Sequence, residues 1–339
     1  MMLPNIQGDD RDGEINSKSI DLEKYHPHSP YVKAVTRIAR QVGGVMVGLV
    51  LGGGAALGIA HVGVIRVLEK ENIPVDIVVG SSMGALIGAI WATGRNADEL
   101  EVVAREFEQK SAMLKLFDPV VPVSGLIGGR LIKLWLKRHL GNQTFYGAKI
   151  PLKIVSYDLT RREELVIESG SLVDAVRESI AIPGVLEPVR RDGRVIIDGG
   201  VLNPLPTNVL TSIGIKKIIA VNVLQSPDDV MNGYDIFEHE NRKKREVPFR
   251  KAPFHYVMFR LGEFLGKAIN PNIADIIVRT LQASEYVIAE ESAKHADVVI
   301  HPDLVGINWF ELNRVNDLIK GGEEATRKHL PEIKKLIEE

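Results

Sequence analysis

The sequence predicts a three-layer α/β/α fold around a mainly parallel central sheet, on three observations. The stretch Val45–Ala92 reads as strand, glycine loop, helix, strand, sharp turn, helix. Apolar runs and helical runs then alternate from Leu172 through the run Lys217–Leu224, the order expected of a parallel sheet covered by helices. Finally, 42–65 is long enough to span a bilayer and holds no Lys, Arg, Asp or Glu, yet it contains eight glycines: Gly43, Gly44, Gly48, Gly52, Gly53, Gly54, Gly58 and Gly63. A loop built of those glycines would leave backbone groups unpaired in lipid. A buried parallel strand followed by a buried helix explains both the apolarity and the glycines.

The second turn of Val45–Ala92 has the form G-x-S-x-G, with Gly80, Ser82 and Gly84 in the fixed places. After an apolar strand and before a helical run this is a nucleophile elbow, a tight turn that presents the serine hydroxyl clear of the sheet. The following helix aims its N-terminus, and the free N–H of Met83, at the same spot, where an acyl oxyanion would be stabilised. The first loop, Gly52-Gly53-Gly54, ends a strand that should pair in parallel with the Ser82 strand, since one helix joins them. Its N–H groups can then converge on an oxygen near Ser82. Phosphate-loop readings of these glycines fail. A G-x-G-x-x-G count meets Leu57 or Ala55 where glycine is needed, and a P-loop count meets Ile59 where lysine is needed.

The run Gly52-Gly-Gly-Ala-Ala-Leu-Gly58-Ile-Ala-His-Val-Gly63, followed by Gly80-Ser-Ser82-Met-Gly84, resembles the patatin-like phospholipase family, in particular its neuropathy-target-esterase-like and bacterial members. Asp198-Gly199-Gly200, after the strand Arg194–Ile197, resembles the family's triplet carrying the second catalytic residue, and Ala175–Pro188 resembles the segment before it. The resemblance covers roughly residues 45 to 225. It implies a patatin-like fold and a serine hydrolase that cleaves acyl esters of phospholipids or lysophospholipids through a Ser82–Asp198 dyad. One position departs from the family: the residue before Gly58 is Leu57, where Arg or Lys is usual. A substrate phosphate held by that cation is therefore not expected, whereas the backbone oxyanion hole is untouched.

Bulk properties fit. The chain has 339 residues, 45% hydrophobic and 25% charged, with a net charge of −2, so no global field draws it to nucleic acid or anionic lipid. The absence of cysteine excludes disulfides, thiolate metal sites and cysteine nucleophiles. The first residues have neither a basic start nor an apolar run, so no signal peptide is recognised and a cytoplasmic location with local membrane contact is the expectation.

Along the chain, 1–42 reads as a polar tail and a short basic helix over Tyr31–Gln41, with Lys33, Arg37 and Arg40 on a solvated face. Residues 43–339 read as one hydrolase domain, with a core over 45–224, a basic loop over 225–254 and a C-terminal part over 255–339. Helices are expected over 96–107 and 129–140, with a glycine- and proline-rich loop over 113–129. Strands over 151–159 and 164–168 should form a hairpin, with Asp158 as a structural cap. Asn241-Arg-Lys-Lys-Arg245 is the best local patch for lipid phosphates, and 255–269 has a helical apolar face suited to a lid or a packed helix; peripheral membrane contact is expected through 241–245 and 255–269. A last strand at Asp297–His301 and a charged helix over 308–336 close the chain.

A serine hydroxyl needs a group to take its proton. Asp198 is one candidate, His61 another, and His301 would complete a Ser-Asp-His order like that of α/β-hydrolases. In those enzymes the oxyanion loop lies far upstream of the elbow, whereas one helix separates Gly54 from Gly80 here, and the family resemblance implies a dyad without histidine. Asp198 is the expected base, with charge collecting on Gly53 and Gly54. The chemistry needs no metal or cofactor. An acyltransferase, a Ser-Asp-His carboxylesterase and an inactive lipid-binding scaffold are the alternatives.

Overall fold

The structure, a computed structural model, describes residues 30–108, 118, 127–232 and 273–338 of the chain. The expected basic patch 241–245, the helix 255–269 and most of the loop 113–129 lie outside these residues.

The helices that frame the site are α1 (Pro30–Val42), α2 (Ala60–Lys70), α3 (Met83–Ala92), α4 (Ala97–Arg105), α5 (Arg130–Leu140), α6 (Leu172–Ser179), α7 (Thr207–Ser212), α8 (Ile273–Ala293) and α9 (Val315–Glu338). The strands are β1 (Val47–Leu51), β2 (Ile77–Ser81), β3 (Leu152–Asp158), β4 (Glu163–Ile167), β5 (Val189–Arg191), β6 (Arg194–Asp198), β7 (Lys217–Val221) and β8 (Val298–Ile300).

All eight strands join one sheet in the order β5-β6-β3-β2-β1-β7-β8, with β4 paired to β3. The run β3-β2-β1-β7-β8 is parallel. Side chains alternate between two apolar layers, as strand geometry requires. Leu49, Leu51, Val78, Ile219 and Val221 face the layer with α2, α3 and α9, while Val50, Ile77, Val79, Ile218 and Ala220 face the layer with α7 and Ala289 of α8. Helices on both faces make the expected three layers.

The other end of the sheet positions the site. β4 is the second arm of the expected hairpin, and it pairs with β3 from Ile154 to Asp158. β2 and β6 therefore share the opposite edge of β3. β2 pairs in parallel up to Ser81 opposite Val155, and β6 pairs antiparallel from Asp198 opposite Ser156. The two strands run toward each other along one edge, and their C-terminal ends meet at adjacent rungs. Simple alternation implied a parallel Asp198 strand. It is antiparallel because the short β5–β6 hairpin, turning at Asp192-Gly193, folds it back.

Several expectations are refined. Asn96 caps α4 in a capping box with Glu99. Asp158 accepts hydrogen bonds from the N–H groups of Thr160 and Arg161, the structural cap expected of it. Arg40 is not on a solvated face: its guanidinium grips the fully buried Asp76 through Nε and Nη2, and Asp76 also accepts the Val47 N–H. The last helix begins at Val315 rather than 308, after turns in which the Asn308 N–H is held by the Glu311 side chain. No element was expected over 270–296, yet α8 fills most of it. The side it buries carries Glu285 and Ala289 while Val287 stands exposed, so the buried face is not the apolar one that a sequence pattern would pick out.

Candidate active site

The elbow is built from the end of β2. Ser82 has φ 52° and ψ −120°, a backbone conformation that costs a non-glycine residue free energy and persists only when its surroundings impose it. Here the imposition is steric. A Cβ on Gly80 would lie 2.6 Å from Ala85 Cα, and one on Gly84 would sit on the Leu51 carbonyl oxygen. The two glycines let α3 leave the strand with almost no connecting chain. The Ser82 N–H donates to Ser179 Oγ at 2.9 Å, and Ser179 Oγ donates to the Val155 carbonyl at 2.6 Å. Ser179, at the last turn of α6, was not singled out in the sequence, although it lies inside the Ala175–Pro188 segment.

Ser82 Oγ donates to Asp198 Oδ2 at 2.6 Å. Asp198 Oδ1 accepts the Gly200 N–H at 2.7 Å, so the carboxyl is oriented from both sides. Gly199, packed on the Val155 carbonyl, and Gly200 form the turn Gly199–Val201 that follows. Both members are buried, Ser82 at 5% exposure and Asp198 at 3%. Burial pushes the Asp198 carboxyl up to about 7, against the opposing pull of the Ser82 and Gly200 hydrogen bonds. A carboxyl of that affinity can take and return a proton near neutral pH.

The glycine loop lies beside the serine, where a Cβ on Gly53 would come to 3.4 Å from Ser82 Cβ. The expectation that Gly53 donates to the oxyanion is corrected: its N–H donates to the Pro204 carbonyl at 2.8 Å, and the Gly52 N–H extends the β1–β7 ladder to the Val221 carbonyl at 3.1 Å. Both amides are spent on holding the loop to the sheet. Among the described residues, no acceptor is seen for the N–H groups of Gly54, at the loop's tip, or of Met83, at the first turn of α3 where helical N–H groups are unpaired. Gly58 packs against the Met83 side chain and ties the loop to the elbow. Leu57 is 2% exposed and packed in the main core, so that position faces away from any substrate phosphate.

Neither histidine candidate meets Ser82. His61 Nε2 lies 2.8 Å from the Gly52 carbonyl, and burial holds its pKa down to about 4. It is a neutral ring that buttresses the glycine loop. His301 lines a separate cleft of about 340 Å³ with Tyr286, Glu290 and Asp303, its Nε2 3.6 Å from Glu290 Oε1.

One more carboxyl reaches the site unannounced. Glu285 of α8 is 9% exposed, and its Oε1 would lie 3.2 Å from a Cβ on Gly200, which would itself be 3.1 Å from Asp198 Oδ1. Burial, then the charge of Asp198, push Glu285 up to about 8. A glutamate in an apolar helical segment without a nearby cation was its only sequence signal. No group of three or more metal-ligating side chains occurs among the described residues.

Residues 49–211 match the family model of patatin-like phospholipases. The chain carries a patatin-like phospholipase domain. The chain is 34% identical over 217 residues to neuropathy target esterase sws of Drosophila melanogaster, covering 63% of this chain and 15% of that protein. Lysophospholipase NTE1 of Scheffersomyces stipitis is 29% identical over 297 residues, 85% of this chain and 18% of that protein. The chain thus spans under a fifth of the length of these relatives. A solved structure, VipD from Legionella pneumophila, aligns at a TM-score of 0.44 and 16% identity, covering 85% of this chain and 67% of that one. No helix among the described residues is long and apolar enough to cross a membrane.

Proposed function

We propose that this chain is a carboxylic ester hydrolase acting on acyl esters of lysophospholipids or phospholipids through a Ser82–Asp198 dyad. The observation that carries the reading is the 2.6 Å hydrogen bond from Ser82 Oγ to Asp198 Oδ2 at the tip of a strained elbow. The relatives named for esterase and lysophospholipase activity support the substrate class.

Ser82 Oγ attacks the ester carbonyl as its proton passes to Asp198, and the carbonyl oxygen becomes an oxyanion facing the Gly54 and Met83 N–H groups. Collapse of the tetrahedral intermediate breaks the bond to the alcohol, which leaves with the proton from Asp198. Water then attacks the acyl-enzyme, giving its proton to Asp198, and Ser82 departs as the hydroxyl by taking that proton back. Each half-reaction returns Asp198 to the carboxylate. Basic residues Arg242, Lys243, Lys244 and Arg245 are assigned a peripheral lipid contact on sequence alone.

The test is a fluorophosphonate probe followed by peptide mapping, with release of fatty acid from a lysophospholipid as the activity readout. The reading requires label on Ser82 and fatty acid as product. Label elsewhere, or an active Ser82→Ala protein, would end it.

A further inference from the structure

The mechanism leaves Glu285 without a task. It is a nine-tenths buried carboxyl for which no hydrogen-bond partner is seen among the described residues, and its Oε1 shares with Asp198 Oδ1 the space left by the missing side chain of Gly200, where a Cβ would lie 3.2 Å from the first and 3.1 Å from the second. The elements most closely packed on α8 are the Gly199–Val201 turn and α7, and neither carries an ionisable side chain. Its own helical neighbours, Leu281, Gln282, Ile288 and Ala289, are equally uncharged. Asp198 is the charged group that acts on it. We propose that Glu285 is a third member of the catalytic centre, a positioning carboxyl that acts through Asp198 by repelling its negative charge and so driving it to take the Ser82 proton.

Two close carboxyls titrate as a pair, in two macroscopic steps. The first negative charge settles on Asp198, because Asp198 accepts two hydrogen bonds in that form and Glu285 accepts none that is seen among the described residues. That state is already competent, with Glu285 neutral beside it. Ionisation of Glu285 at higher pH puts two negative charges across Gly200. Transfer of the serine proton to Asp198 then relieves the repulsion, while the new charge forms on the oxyanion, farther away. Acylation is accelerated by the second ionisation rather than inhibited by it. The glycine at position 200 is part of the device, since a side chain there would wedge the two oxygens apart.

The inference rests on Asp198 being the base, and the experiment separates the two. The kcat/KM of the full chain on an uncharged ester is followed from about pH 5 to about pH 10. The expected profile rises twice, the upper step by about three- to tenfold, since a base strengthened by about one pH unit gains up to about that factor. Glu285→Gln should rise once and lose the upper step, and Glu285→Asp should regain a smaller one. A single rise in the wild-type chain, or an upper step that survives Glu285→Gln, overturns the proposal without touching the dyad. If the Gln variant fails to fold, Glu285→Asp decides, and an upper step as large as in the wild type overturns the proposal. An Asp198→Asn chain that keeps wild-type turnover would instead end the dyad reading beneath it.

Discussion

Ser179 Oγ stands 2.9 Å from the Ser82 backbone nitrogen and accepts its N–H, while donating its own hydrogen bond to the Val155 carbonyl. One buried hydroxyl thus pins the strained residue of the elbow to the strand beside it. Ser179→Ala leaves the Ser82 N–H without this acceptor and the Val155 carbonyl without this donor, in a fully buried place. A loss of about 1–3 kcal/mol is expected in a denaturant melt, with kcat falling more than KM rises. An unchanged melt and unchanged kcat would show that the elbow holds its geometry unaided.

Asp198 makes a pH-dependent contribution to stability whose sign follows from burial. Its pKa in the folded chain is raised to about 7, so the folded state keeps a proton that the unfolded state has already lost above about pH 4. Folding is therefore weakened as pH rises through the folded value. Glu178, raised by burial to about 7, and Glu285, to about 8, act in the same direction. His61 opposes them only below its ordinary value, where the unfolded chain takes a proton that the buried ring refuses. Between about pH 6.5 and 8 stability should fall by on the order of 1 kcal/mol per carboxyl. Asp198→Asn should flatten the slope and raise stability at pH 8, and denaturant melts at two pH values would reveal a slope that ignores the substitution.

Much of this was legible in the sequence because it is local chemistry. Glycines 80 and 84 around Ser82, the apolar strand ends and the Asp-Gly-Gly turn each announce themselves within a few residues. The parts that were not legible depend on distant segments. Nothing near Gly53 tells that its N–H is already taken, since its acceptor Pro204 is far along the chain. Asp198 meets Ser82 because two strands share one edge of β3, which no periodicity encodes. Glu285 is a site residue only because α8 covers the Gly199–Val201 turn.

Leu57 is a further case in which place decides. Restoring the family's usual cation would aid a charged head group if the side chain faced the cleft, but Leu57 is packed in the core. Leu57→Arg should destabilise the fold by about 3 kcal/mol or more, with no gain for lysophospholipid over a neutral ester. A higher ratio of those two activities in a stable variant would contradict this placement.

Helix α2 carries the glycine loop and is clamped by α9. A Cβ on Gly63 would fall on the Ile319 carbonyl, and one on Gly322 on the Ala60 carbonyl. Backbone cannot yield as a side chain can, so Gly63→Ala should cost at or above the usual 1–3 kcal/mol of overpacking. The loss should appear in thermal unfolding, while the folded fraction retains its kcat. Wild-type stability in Gly63→Ala would mean that the two helices are not in this close contact.

The central claim is that Asp198, and no histidine, takes the Ser82 proton. Its most direct test is kcat on one short-chain ester for three folded variants, Asp198→Asn, His301→Ala and Ser82→Ala. The account predicts that Asp198→Asn falls to the level of Ser82→Ala, a loss of about 10³-fold or more, while His301→Ala stays within a few-fold of the wild type. A folded His301→Ala chain as inactive as Ser82→Ala, or an Asp198→Asn chain that still turns over, would contradict it.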